Sequence, residues 1–570
     1  MDTTQLTYQV THTPSRIQKL YRSLSPERVI VFWLFLAIAS GLLFSALLVF
    51  NNRFLITVPS YGGSIHEGIV GTPRFINPVL ATSEQDADLT SLVYAGLTKR
   101  NERGEAILDM ASSITESEDK LHYTVSIKPT ARFHDGTPVT TDDIIYTVNL
   151  IQNPIIKSPH KIEWEGITIE KISDTDLIFS LKQPYPLFMD ILTVGILPKH
   201  VWKNLTDEQF SLSDYNVKAV GSGPYKITKI QSTDGIPQTF TLEAHEDYTL
   251  GRPYVDTITL TSYQNERYAL QAFVDKDIDR VHGISPQTVT SLDVASSSVH
   301  TSFLPRTFTV FFNPNKASAL SEKKVRQALQ MAINKDAIVE SVLMNYGKVI
   351  NDPYPFDTET STSTYSVEGA KKLLESTKAY KANKEIEITL ATANTDEMKK
   401  VAEMIKADWE AVGITTTLAV YEVADLNQAV IKERDFQALL FGSITASPSD
   451  LYAFWHSSQR NYPGLNISNY VSNKLDRNLE LLRSDSDIVA RTAAYDEVKQ
   501  EFADEVPGIF LFAPSLIYVT NDKVTTILPS VSLSNSSRFT LVQKWYRYSE
   551  RIWPKTYFKE VIQTLENIIH

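Results

Sequence analysis

Hydrophobic and polar positions change period several times along this chain, and each change marks an element. From Val29 to Phe50 no polar period exists at all: VIVFWLFLAIASGLLFSALLVF is 22 residues without a charge. At 1.5 Å per residue such a helix is about 33 Å long, enough for a bilayer core of about 30 Å. From Leu121 the period becomes two. Leu121, Tyr123, Val125 and Ile127 alternate with polar residues as a strand, and FHDGTPVT (Phe133 to Thr140) then turns the chain. A helix is predicted next, with Thr140 or Thr141 as cap, Asp142 and Asp143 in its positive first turn, and Ile144, Ile145, Val148 and Ile151 on its apolar face. Val325, Ala328, Leu329, Ala332 and Ile333 mark another amphipathic helix. Ile338, Val342 and Leu343 mark a further one, expected to stop at Gly347. Ile386 to Leu390 and Ile414 to Val420 read as strands on either side of a helix from Met398 to Val412. Strand, helix, strand with short loops is a βαβ unit, so the fold class is α/β with a parallel pair.

Composition adds constraints. The chain has 570 residues, 42% hydrophobic and 21% charged, which is globular and too long for one small domain. Sixty-seven acids against fifty-five bases leave a formal charge of -12, a sign that repels phosphate backbones and argues against a nucleic-acid partner. The absence of cysteine excludes disulfides, thiolate metal sites, cysteine nucleophiles and cysteine lipidation. The apolar run therefore decides the compartment. Its only AxA-like triplet, Ala37 to Ala39, lies inside it, so an uncleaved anchor is expected rather than a signal peptide. Arg16, Lys19, Arg22 and Arg28 precede it and Arg53 alone follows closely. The positive-inside rule then places the N-terminus in the cytoplasm and the main domain outside.

Catalytic constellations are sparse. The closest histidine pair, His122 and His134, is twelve residues apart, and His66-Glu67 is not followed by the second histidine of a zinc-protease motif. Gly221-Ser222-Gly223 lacks the lysine and hydroxyl of a phosphate loop. Asp275, Asp277 and Asp279 start like a calcium loop but lack its glycine and its closing glutamate. No catalytic residue, metal or cofactor is expected from these patterns.

Several stretches, in order, resemble the family 5 extracellular solute-binding proteins, the peptide and nickel receptors of ABC importers. They are NPVLATSEQDADLTSLVYAGLT (Asn77 to Thr98), YTVSIKPTARFHDGTPVTTDDIIYTV (Tyr123 to Val148), ILPKH (Ile196 to His200), VGSGPYKI (Val220 to Ile227), KKVRQALQMAINKDAIV (Lys323 to Val339), VAEMIKADWEAVGI (Val401 to Ile414) and EVPGIFLF (Glu505 to Phe512). The likeness implies a two-lobed, clam-type α/β binding protein of cluster C behind one transmembrane helix. The expected domains are a cytoplasmic tail 1–28, an anchor 29–50, and lobe I from 51 to 305 with an inserted subdomain at roughly 90–213. Lobe II would cover 306–511, with a return to lobe I over 512–545 and a helical tail over 546–570.

By the same resemblance the function is capture of a peptide between the lobes and delivery to an ABC permease and its ATPase, with no bond made or broken. An alternative is an envelope assembly factor that holds unfolded segments in the same cleft. The binding residues expected are Glu84, Thr307, Phe308, Thr309, Phe311, Lys399, Lys400, Gly442, Ser443 and Asp450. RTFTVFFN (Arg306 to Asn313) would be a hinge strand whose backbone pairs with an extended peptide, or an ordinary core strand. Asp450 is the one acid in the loop GSITASPSD. It would receive the peptide ammonium while Lys399 or Lys400 receives the carboxylate; alternatively Asp450 caps its own segment and the lysines are solvated.

Overall fold

The computed structural model describes residues 25–554 apart from 162, 183, 186, 234, 292–297, 357–364, 384, 446, 463, 485–486, 522, 531 and 553. Two compact units emerge. The smaller holds the helix Pro26–Phe54 and a two-stranded sheet of Ile56–Ser60 with Tyr548–Ile552. No part of the apolar span is buried by protein, so it is not a core helix. The C-terminal segment expected to be helical is a strand over Tyr548–Ile552, and 555–570 lie outside the described residues.

The larger unit, Ser60 to Tyr548, carries two sheets that share one strand, Gly508–Thr520. Its first half pairs antiparallel with Arg306–Phe312, beyond which lie Ala438–Ile444, Ile386–Ala393 and Ile414–Tyr421. Its second half pairs with Arg280–His282 and Val299–Phe303. Beyond Arg280–His282 lie Ser64–Val70, Thr257–Tyr263, Ile236–Ala244 and Tyr225–Thr233. Each sheet has its own hydrophobic core, one around Ile65, Phe240 and Tyr225 and one around Val310, Leu390 and Trp409. A separate four-stranded sheet, in the order Ala111–Glu116, His122–Ile127, Asp176–Ser180, Thr168–Lys171, packs against the helix Thr141–Gln152 in the first lobe.

The predicted βαβ unit is present. Ile386–Ala393 and Ile414–Tyr421 run parallel in register Ile386 to Ile414, joined by the helix Asp396–Ala411. The helix at Thr141 opens on a reciprocal cap, in which Asp143 Oδ2 accepts from the Thr140 N–H at 2.9 Å. The helix Lys335–Leu343 stops earlier than expected. Met344 takes the left-handed conformation (φ 48°) and closes it, while Gly347 opens a short strand.

Three of the family-like sequence stretches interlock. His134 of FHDG receives the Gly221 N–H on Nδ1 at 3.3 Å, which leaves its Nε2–H to donate to Gly223 O at 3.1 Å. Gly223 N–H donates in turn to Val93 O at 2.8 Å, at the end of the helix Glu84–Val93. A Cβ on Gly223 would fall 2.6 Å from the Val93 carbonyl carbon, so only glycine allows this approach. Burial, with His245 beside it, lowers the His134 pKa to about 3. The ring is therefore neutral, as its acceptor role requires.

A buried ionic cluster ties the first lobe across its whole chain length. Arg538 forks onto Asp88 at 2.7 Å through both terminal nitrogens and reaches Glu67 through Nε at 2.8 Å. Tyr518 Oη donates to Glu67 at 2.6 Å and accepts from Arg280 at 3.1 Å. His282 lies 3.3 Å from Asp88 and 3.4 Å from Glu67. Burial and Arg538 oppose a proton on His282, yet Asp88 and Glu67 outweigh them and raise its pKa. That contribution to stability is complete below about pH 6.5, the unfolded value, and is lost as pH rises through the folded one.

Arg538→Met should cost about 3–5 kcal/mol, because it strands two buried carboxylates. Urea unfolding of the full chain in detergent would read this, and a loss below about 1 kcal/mol would mean that the cluster is not needed. His134→Gln keeps one donor and one acceptor but cannot be protonated. Wild type should lose stability as pH falls from about 6.5 toward 3, where the depressed folded histidine finally charges, and the variant should lose less over that interval. Parallel pH profiles for the two proteins would contradict the neutral-acceptor role.

Candidate functional site

The crossings between lobes lie at Leu304–Pro305 and at Ala513–Pro514, where the Leu304 N–H donates to Pro514 O at 3.1 Å. Beside them the two lobes face each other across a run of cavities. One, of about 650 Å³, has Arg306, Phe308, Glu397 and Lys400 from the second lobe and Glu266, Gln287 and Asn535 from the first. A middle one of about 260 Å³ joins Glu84 and Ser534 to Arg306 and Ile444. The third, of about 600 Å³, sets Ser447 and Asp450 opposite Thr90, His160, Glu163, Tyr185 and Asp190. Arg306 and Asn535 line the first two, and Ser534 and Ser536 the last two, so the cavities are continuous along the cleft.

Charge is unevenly placed along this run. At the Asp450 end, burial raises the Tyr185 phenol to about 12, helped by the carboxylates of Glu163, Asp450 and Asp190 around it. Arg100 pairs with Asp190 at 2.8 Å, while burial still keeps that carboxyl above its ordinary value. At the other end Arg306 and Lys400 supply cations among the carboxylates of Glu266, Asp396 and Glu397. Such a groove can hold an extended ligand with a positive group at one end and an acceptor at the other.

The expected residues separate into two sets. Glu84, Phe308, Lys400 and Asp450 line the cavities. Gly442 and Ser443 flank them on the adjoining strand: a Cβ on Gly442 would meet the Phe308 ring at 3.0 Å, and Ser443 Oγ shares a 2.8 Å hydrogen bond with buried Thr307. Thr309 and Phe311 are core residues, fully and almost fully buried, with Phe311 stacked on Trp455 at 5.5 Å. Lys399 pairs with Asp396 at 3.0 Å, one helical turn away, and lines none of these cavities. Lys400 Nζ donates to Ser341 O at 2.6 Å and lies in a different cavity from Asp450. The Asp450 carboxylate does cap its segment, accepting from Ser447 N–H at 2.9 Å, and also faces the cleft.

One expectation is overturned. The backbone of Phe308 to Phe311 is paired on both sides, with Leu439–Gly442 and with Gly508–Phe512, so it cannot pair with a ligand. An interior strand has no free ladder edge. Sequence reasoning also missed Arg306, Tyr185, Glu163, Asp190 and the serines at 534 and 536. Arg306 had a signal, being a cation at the exposed start of an apolar strand.

A family model for the bacterial extracellular solute-binding proteins, family 5, matches residues 105–463, more than half of the chain. The chain belongs to that family. Among relatives of this family 5 protein, the oligopeptide-binding protein AppA of Bacillus subtilis is 27% identical over 479 residues, covering 80% of this chain and 87% of AppA. The dipeptide-binding protein of Escherichia coli is 24% identical over 77% of this chain and 87% of its own. The solved structure of Bacillus subtilis AppA in complex with a nonapeptide superposes with a TM-score of 0.64 at 25% identity, over 86% of this chain and 99% of that one. The substrate-binding protein CtaP of Listeria monocytogenes gives a TM-score of 0.73 at 24% identity, over 85% and 99% of the two chains. The two-lobed fold of these proteins is the fold of this one.

Proposed function

We propose that this solute-binding protein captures peptides in the interlobe cleft and passes them to the permease and ATPase of an ABC importer, with no bond made or broken. The observation that carries the reading is the continuous run of cavities between the lobes, acidic at the Asp450 end and bearing Arg306 and Lys400 at the other. That polarity matches an extended peptide with its ammonium toward Asp450 and Glu163. AppA, an oligopeptide-binding protein, and the dipeptide-binding protein support the same ligand class. Glu84 and Phe308 wall the groove in this reading, with Gly442 and Ser443 behind them on the adjoining strand. A cleft made of several joined cavities fits a peptide longer than two residues.

The helix Pro26–Phe54 serves as a single-pass anchor, with residues 1–28 in the cytoplasm and the lobes outside. Its length and uniform apolarity support this, as does the excess of basic residues before it. The tether replaces diffusion in the envelope by a short search near the permease, which raises the effective concentration of receptor.

Asp450→Asn keeps an acceptor for Ser447 but removes the charge. It should weaken a peptide with a free amino terminus roughly 30-fold or more, the range for losing one partner of a buried charge pair. The same peptide acetylated at its amino terminus should bind both proteins alike in calorimetric titration. Equal losses for the two peptides would take the ammonium away from Asp450.

A further inference from the structure

Behind the acidic end of the cleft lies a side chamber of about 200 Å³, walled by residues that the peptide reading does not use. It shares Tyr94, Arg100, Ser536 and Ser537 with the larger cavity, so the two are joined. Its volume suits one side chain and not a whole ligand.

The chamber is rich in donors. Lys99 Nζ donates to Tyr248 Oη at 3.0 Å and to Gln543 Oε1 at 3.2 Å, which leaves the third ammonium N–H without a partner among the described residues. Tyr94 is 5% exposed, and its hydroxyl has no hydrogen-bond partner among the described residues. Burial raises that phenol's pKa, so it keeps its proton and remains a donor at neutral pH. The nearest charged groups are already engaged. Asp109 receives Tyr248 Oη at 3.0 Å on one oxygen and Thr249 Oγ1 on the other. Arg100 is held by Asp190 and by Gly104 O. A buried phenol without a partner among the described residues and a partly buried ammonium with one N–H to spare line the same small space, and the phenol lacks the acceptor that buried polar groups ordinarily have.

We propose that this chamber is a subsite for an acidic side chain of the bound peptide, whose carboxylate would accept from Lys99 Nζ and Tyr94 Oη. The inference rests on the peptide reading above. Burial supports it, since it lowers the Lys99 pKa to about 8 against the pull of Asp109, so the ammonium is under-compensated until an anion enters. Charge-assisted hydrogen bonds to a carboxylate are the strong kind and discriminate against a neutral amide.

The test is a panel of nonapeptides with free amino termini and amidated carboxyl termini, so that the carboxylate under study is the only one present. Glutamate or glutamine is walked through each position, and each pair is titrated against the full-length protein in detergent. The expected result is one position, or two neighbouring ones, at which glutamate binds at least 10-fold tighter than glutamine. Lys99→Met should bring that ratio close to one, and Tyr94→Phe should reduce it several-fold. Either variant alone suffices if the other fails to fold. A wild-type ratio near one at every position, or a ratio that survives both substitutions, would overturn the subsite while leaving peptide binding intact. Failure of every peptide, glutamine forms included, would overturn the peptide reading and the subsite with it.

Discussion

One strand belongs to two sheets, and the rest of the molecule is arranged around that constraint. Gly508–Thr520 is almost wholly buried and gives its first half to one lobe and its second half to the other. A backbone hydrogen-bonded on both sides of a crossing cannot slide, and the crossings are themselves tied, Leu304 N–H to Pro514 O and Ala513–Pro514 to the short strand Gly347–Val349. Prolines there narrow the accessible dihedrals further. The cleft opens beside those crossings, where a small rotation changes its width most. The ionic cluster of Glu67, Asp88, Arg538 and His282 completes the frame by fixing early, middle and late segments into one first lobe.

Much of the architecture was legible because it is local. Alternation at Tyr123 to Ile127, the helix opening at Thr140 to Asp143 and the strand, helix, strand unit from Ile386 to Tyr421 depend on neighbours in sequence. The most recognisable stretches proved structural. His134, Gly223 and Val93 interlock, so in this chain those stretches build a turn. What could not be read was pairing at long range. Nothing in RTFTVFFN distinguishes a strand with one free edge from a strand flanked on both sides, and the burial of Thr309 and Phe311 follows from the second case. Glu163 and Asp190 share a cavity with Asp450 although they lie far from it in the chain, and no spacing encodes that. The Lys399 to Asp396 pair, by contrast, was a spacing of three on a helix and could have been anticipated.

Binding follows from this frame by geometry. In the proposed binding mode a ligand would touch Asp450 and Ser447 on one side and Glu163, Tyr185 and Ser534 on the other, so its affinity would be greatest with both walls close. In that mode closure would be driven by the ligand's differential affinity for two arrangements of the same lobes, with no other source of energy required.

The account stands or falls on whether ligand bridges the lobes. Photo-crosslinking of a nonapeptide carrying one benzoylphenylalanine, followed by mass-spectrometric mapping, tests this directly. The account predicts label on both walls, within 84–94 or 533–537 in the first lobe and within 442–450 in the second, suppressed by unlabelled peptide. Competed label confined to one lobe, for example to the separate second-lobe cavity of about 320 Å³ beside Arg326 and Tyr470, would contradict it.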